Sequence, residues 1–148
     1  MTVSAMDGDE IDILLVEDNP GDVYLVREAF RLGSLAKRLH VVQDGEAALD
    51  YLFQRKPYGD AAPPDLVLLD LNLPKIDGRE VLQHIKRDPV LRHIPVLVLS
   101  TSNNEKDVVH AYEHHANCYL TKPDNLYDYF DLIRDVEEYW LSMVCLPA

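Results

Sequence analysis

Five strand-length apolar runs punctuate this chain, and they are continuous rather than alternating. The strong ones are Ile11 to Val16, Leu66 to Leu69 and Val96 to Leu99, with weaker ones at Leu39 to Val42 and Cys118 to Leu120. A strand with one wet face alternates apolar and polar residues, whereas a continuous run is covered on both faces, as in a parallel sheet held between helices. Segments of helical period separate the runs. Four open on helix-start signals: Asn19 with Pro20, Asp44, Asp77 with Glu80, and Ser102 with Glu105. The alternation continues to a last helix near Leu126 to Met143. The expected fold is therefore α/β, a doubly wound five-stranded parallel sheet with five helices. Gln54 to Pro64, rich in Pro, Gly and Ala, reads as a longer connection before the third strand. No internal repeat or domain linker stands out.

A chain of 148 residues accommodates one ordinary domain. It is assigned to 11–143, with a disordered tail over 1–10 and a short tail over 144–148. Twenty-six acidic against 14 basic residues, a net charge of -12, argue against a nucleic-acid partner, because affinity for phosphate backbones is built from Lys and Arg contacts. The same charge also keeps a soluble protein dispersed. The two cysteines, Cys118 and Cys145, match neither a metal knuckle nor a disulfide framework, which fits reduced buried thiols in the cytoplasm. The first ten residues lack the basic and apolar segments of a signal peptide. No apolar run approaches the about 20 residues needed to cross a bilayer.

In an open α/β sheet, ligands sit beyond the carboxyl ends of the strands. The residues closing the runs are Glu17 and Asp18 after the first, Asp70 and then Asn72 after the third, Ser100 at the fourth, and Lys122 before Pro123 at the fifth. Taken singly, Asp18 and Asp70 also suit caps or turns, and Lys122 an exposed lysine. Together, three converging acids repel one another strongly enough that one must be protonated or a cation must compensate. An all-oxygen donor set without His or thiolate suits Mg²⁺, with Mn²⁺ as the other candidate. Asp70 can then serve as a phosphoryl acceptor, with Lys122 and the metal neutralising the transferred oxygens and Ser100 hydrogen-bonding one of them.

These residues resemble the receiver domains of two-component response regulators over Ile11 to Trp140. The matching motifs are Ile-Leu-Leu-Val-Glu-Asp-Asn (13 to 19), Leu-Val-Leu-Leu-Asp-Leu-Asn-Leu-Pro with Asp-Gly after it (66 to 78), Val-Leu-Ser-Thr (98 to 101) and Thr-Lys-Pro (121 to 123). The resemblance implies a flavodoxin-like sheet, a phosphoacceptor Asp70, and Mg²⁺ held by Glu17, Asp18, Asp70 and the backbone carbonyl of Asn72. It further implies that Ser100 and Lys122 sense the phosphoryl group, that Tyr119 is an aromatic switch, and that Lys122-Pro123 is a cis bond. A narrower likeness is to single-domain regulators paired with cyanobacterial and bacterial phytochrome kinases. Its marks are Lys56-Pro57-Tyr58 to Pro63-Pro64, Leu-Ser-Thr-Ser-Asn-Asn-Glu (99 to 105), Asn117-Cys118-Tyr119 and Glu138-Tyr139-Trp140-Leu141. That likeness implies a stand-alone regulator with a phytochrome-type sensor histidine kinase as donor, signalling by protein contact or by phosphorelay and not as an enzyme. Two positions depart from the family pattern, Thr101 in place of Ala or Gly, and Asp124 where an aromatic is frequent.

Other readings compete. A haloacid-dehalogenase-like phosphatase also uses a strand-end Asp, but its second acid falls where this chain has Asn72, which cannot act as a general acid. A receiver-like binding module without phosphorylation is the third reading. On the last helix, Leu126, Phe130, Ile133 and Trp140 form one apolar stripe and Tyr129, Leu132, Val136, Tyr139 and Met143 a second, covering about half the wheel where about 100° suffices for a surface helix. One stripe faces the sheet. The other is expected to form a homodimer through the fourth helix, fifth strand and fifth helix, the alternative being that the tail Val144 to Pro147 folds back over it. His110 and His114, one helical turn apart beside His115, have metal-ligand spacing but no evident third ligand.

Overall fold

The computed structural model describes residues 2–3, 10–142 and 145–147. Five parallel strands carry the fold: β1 (Ile11–Val16), β2 (Lys37–Val42), β3 (Leu66–Asp70), β4 (Val96–Ser100) and β5 (Cys118–Thr121), in the order β2-β1-β3-β4-β5. Burial explains the unequal runs in the sequence. Strands β1, β3 and β4 are buried at every position, whereas β2 and β5 lie at the edges and are only half-covered.

Five helices cover the two faces: α1 (Pro20–Arg31), α2 (Gly45–Leu52), α3 (Gly78–Arg87), α4 (Glu105–Glu113) and α5 (Leu126–Val136). Side chains alternate across the pleat, so each central strand divides its residues between two cores. Leu14, Val16, Val67, Leu69, Val96 and Val98 pack with α2 and α3. Ile13, Leu15, Leu66, Leu68, Leu97 and Leu99 pack with Val26 and Phe30 of α1 and Tyr129 and Ile133 of α5. Each such fully buried Leu, Ile or Val contributes about 1.5–3 kcal/mol relative to exposure.

Helix starts follow the expected caps at Asn19, Asp44 and Asp77. The fourth differs. Asn104, not Ser102, caps α4, accepting from Lys106 N at 2.8 Å, and the Ser102 hydroxyl instead donates to Asp107 Oδ2 at 2.7 Å. The long connection before β3 contains a cis Lys56-Pro57 bond, and Lys122-Pro123 is trans, contrary to expectation.

The last helix also departs from the single wheel drawn for it. It stays α-helical to Val136 and passes into a π turn over Glu137–Leu141, which rotates the residues beyond 136 out of the α-helical register. The buried face is Tyr129, Ile133 and Val136, cutting across both expected stripes, while Leu126 and Tyr139 are exposed. Leu146 is buried in the hydrophobic cluster that also holds that face. Thr2–Val3 pairs antiparallel with Leu146–Pro147, which brings together the two segments expected to be tails. Met143, Val144, Ala148 and the remainder of residues 1–9 lie outside the described residues; of the two cysteines expected as buried thiols, Cys118 is half-buried and Cys145 is exposed.

Candidate functional site

Strand order reverses between β1 and β3, which opens a crevice at their carboxyl ends. β1 delivers Glu17, 1% exposed, and the exposed Asp18; β3 ends on Asp70, 6% exposed. One carboxylate oxygen from each of Glu17, Asp18 and Asp70 lies within 4.8 Å of the others. Immediately beyond β5, the Lys122 backbone N–H donates to Ser100 O at 2.7 Å, which turns its side chain into the crevice. There its Nζ reaches Glu17 Oε1 at 2.5 Å, Asp22 Oδ2 at 3.0 Å and Asp70 Oδ2 at 3.1 Å. The open cleft, about 430 Å³, is lined by Glu17, Asp18, Asp22, Asp70, Asn72, Thr101 and Lys122 among others.

Local structure holds each group. Asn19 Oδ1 accepts from Gly21 N and Asp22 N, fixing the start of α1. Asn72 N donates to Asp70 Oδ1 at 2.9 Å, which leaves Oδ2 toward Lys122. Gly78 N donates to Leu71 O, folding the segment after β3 back on itself.

The cleft gathers four carboxylates and one ammonium. Burial pushes the Glu17 carboxyl up to about 8; the Asp70 carboxylate adds to this and Lys122 opposes it. Burial disfavours the Lys122 charge as well, but its bond to Glu17 and the charges of Asp70 and Glu17 outweigh burial and hold its pKa above the ordinary lysine value. Excess negative charge at hard oxygen donors, with no thiolate or imidazole in the cluster, fits a divalent cation of the Mg²⁺ or Mn²⁺ type.

The expected site residues therefore come together, with one difference. Ser100 is fully buried and does not line the cleft; its Oγ accepts from Ser102 N at 3.1 Å, while Thr101 reaches the cleft wall. Tyr119 is half-buried, and its hydroxyl donates to Ser102 O at 2.7 Å. The His110 and His114 rings lie 4.1 Å apart between centroids and tilted by 30°, and His114 Nδ1 lies 2.9 Å from His110 O. Among the described residues the ligand-type cluster of three is the acidic one.

Two residues of the site were not anticipated. Asp22 is a third carboxylate on Lys122; its sequence signal was a position one turn after Asp18 at a helix start beside the strand ends. Tyr129 of α5 is 3% exposed and its hydroxyl has no partner among the described residues. Burial raises its pKa, and the surrounding charges are those of Lys122, Asp22, Glu17 and Asp70. A larger groove, about 580 Å³, runs along α1 and β2 past Tyr24, Arg27, Phe30 and Lys37 and shares no lining residue with the acidic cleft.

Residues 13–134 match the family model described as response regulator receiver domain. Response regulator Rcp1 of Synechocystis sp. is 51% identical over 136 residues, 92% of this chain and 92% of that protein. The Mn²⁺-bound structure of Rcp1 superposes with a TM-score of 0.91 at 50% identity, covering 93% of this chain and 99% of the other. The phosphorylated cyanobacterial phytochrome response regulator RcpA gives a TM-score of 0.92 at 50% identity, covering 95% of this chain and 100% of the other.

Proposed function

The chain belongs to the response regulator receiver family, and from that premise we propose that Asp70 accepts a phosphoryl group from the phosphohistidine of a sensor histidine kinase. The observation carrying this reading is Lys122 Nζ at 3.1 Å from Asp70 Oδ2 at the edge of the acidic trio. One carboxylate oxygen of Asp70 bonds to phosphorus as the donor P–N bond breaks, and the imidazole leaves with that electron pair and takes up a proton from water. Lys122 offsets the charge of the transferred oxygens. A divalent ion, Mg²⁺ or Mn²⁺, supplies further neutralisation when bound, and Glu17, Asp18, Asp70 and the carbonyl of Asn72 would hold it. To reach the phosphoryl group, the Ser100 hydroxyl must release Ser102 N, and Ser102 O is the group to which Tyr119 is tied. Movement at Ser100 would thus be passed to the aromatic switch Tyr119.

The likeness to phytochrome response regulators supports a phytochrome-type kinase as donor. Among the described residues no helix is long and apolar enough to cross a membrane; a cytoplasmic signalling role, in place of turnover of a substrate, is part of this proposal and rests on the receiver family and the likeness to Rcp1. Val109 and Tyr112 on α4 and Leu126 and Tyr127 on α5 are exposed, and this face suits a homodimer or a downstream contact.

Incubation with acetyl phosphate tests the central claim. A single phosphoryl adduct in the intact mass should require both the divalent ion and Asp70, and be absent from Asp70→Asn. Repeated phosphate release from an added phosphomonoester would instead establish a phosphatase. The particle size with and without the adduct tests the dimer.

A further inference from the structure

Lys122 divides its three N–H donors among three carboxylates, and these are not equivalent. Glu17 and Asp70 belong to the acidic trio that fits a divalent ion, and Asp70 is in addition the proposed acceptor. Both therefore change their bonding during the reaction. Asp22 lies outside the trio, and its carboxylate is 3.0 Å from Lys122 Nζ. It stands in the first turn of α1, where Asn19 Oδ1 holds its backbone N–H at 3.1 Å, so the carboxylate is presented from a fixed point. With its side chain 22% exposed, it is sheltered enough for a charge-assisted bond to persist.

We propose that Asp22 is a positioning residue for phosphoryl transfer: the one carboxylate that keeps Lys122 aimed at the acceptor while Glu17 and Asp70 take other partners. Without it, a four-carbon side chain with several rotatable bonds would have to be oriented by groups that are themselves changing partners. This inference rests on the reading of Asp70 as acceptor.

The test compares wild type, Asp22→Ala, Asp22→Asn, Asp22→Glu and Asp70→Asn. Initial rates of adduct formation are followed by intact mass over a range of acetyl phosphate concentrations, Mg²⁺ affinity is measured by calorimetry, and thermal melts check folding. Asp22→Ala should lower the saturating rate by about tenfold, the scale of one charge-assisted hydrogen bond, with Mg²⁺ affinity changed less than about threefold. Asp22→Glu should restore part of the rate, and Asp22→Asn, which keeps the shape and one acceptor oxygen, should fall between. In the metal-free protein, NMR of the Lys122 ammonium should show faster proton exchange in Asp22→Ala than in wild type. An Asp22→Ala rate equal to wild type, or a rate and Mg²⁺ affinity lost in parallel, would overturn the proposal. Wild type without any adduct would bring down the Asp70 reading and this inference with it.

Discussion

Among the described residues Lys86 has no carboxylate partner. Its ammonium donates to Arg92 O, Ile94 O and Asn117 Oδ1 at 2.9–3.0 Å, and Asn117 Oδ1 also accepts from Val96 N. The cation thereby ties α3 to the entry of β4 at the end of the sheet remote from the acids. Burial pulls its pKa down to about 8. Between about 8 and the ordinary lysine value of 10.5, the unfolded chain holds a proton that the folded one has released, so folding stability rises with pH across that window and the penalty is constant below it. Urea melts of wild type and Lys86→Met between pH 7 and 10.5 should show wild type gaining on the variant as pH rises; parallel curves would sink the assignment. The contrast with Lys122 is instructive. Both are buried lysines, and their pKa values move in opposite directions because, among the described residues, Glu17 and Asp70 stand beside Lys122 while burial alone acts on Lys86.

At the scale of elements, the segment between β3 and α3 decides where Asp70 points. A Cβ on Gly78 would lie 2.2 Å from Asp70 O and 2.6 Å from Leu71 Cα, and one on Gly45 would lie 1.9 Å from Ile76 O. Both glycines allow backbone to approach backbone where no side chain fits. Gly78→Ala must therefore push α3 away from the strand end, with an expected loss of about 1–3 kcal/mol, the usual cost of overpacking. It should also slow adduct formation on Asp70, because the carboxylate moves with its backbone. Urea midpoints and acetyl phosphate rates check the two effects. The Asp-Gly pair was legible in the sequence as a helix start, but not as a close approach. A further link became visible only with the elements in place: Ser102 Oγ donates to Asp107 Oδ2, and Arg79 donates to Asp107 Oδ1 at 2.9 Å. The loop after β4 is thereby clasped to both α4 and α3.

At the scale of the whole molecule, the two ends of the fold are joined by a buried ion pair. Lys37 Nζ, at the start of β2, lies 2.7 Å from Glu137 Oε1 in the π turn after α5, and both side chains are 6% exposed. Lys37 also donates to Leu35 O and approaches the Phe30 ring. Gly33 leaves room for the Glu137 carboxylate, which would collide with any Cβ there. Removing one member of a buried pair strands the other, so Glu137→Leu should cost about 3 kcal/mol, while the double change Lys37→Met with Glu137→Leu should recover most of the loss. Urea unfolding of the two single variants and the double variant gives the coupling directly. A single variant within experimental error of wild type would show that the pair holds nothing together.

What the sequence by itself determined is whatever local order encodes. Continuous apolar runs meant a doubly covered sheet, and the residues ending them, Glu17, Asp18, Asp70 and Lys122, were legible because strand ends converge in any open α/β sheet. Three of the four proposed helix starts were legible too, because a cap acts on its own first turn. Tertiary structure alone decided what depends on distant partners. Asn104 displaced Ser102 as cap because the Ser102 hydroxyl is engaged by Asp107. The π turn shifted the last helix out of its expected register, where Glu137 meets Lys37 across 100 residues of chain. The Asp22 bond to Lys122 spans the same separation, |i−j|=100. A side chain's partner is set by where whole elements pack, and no spacing along the chain records that.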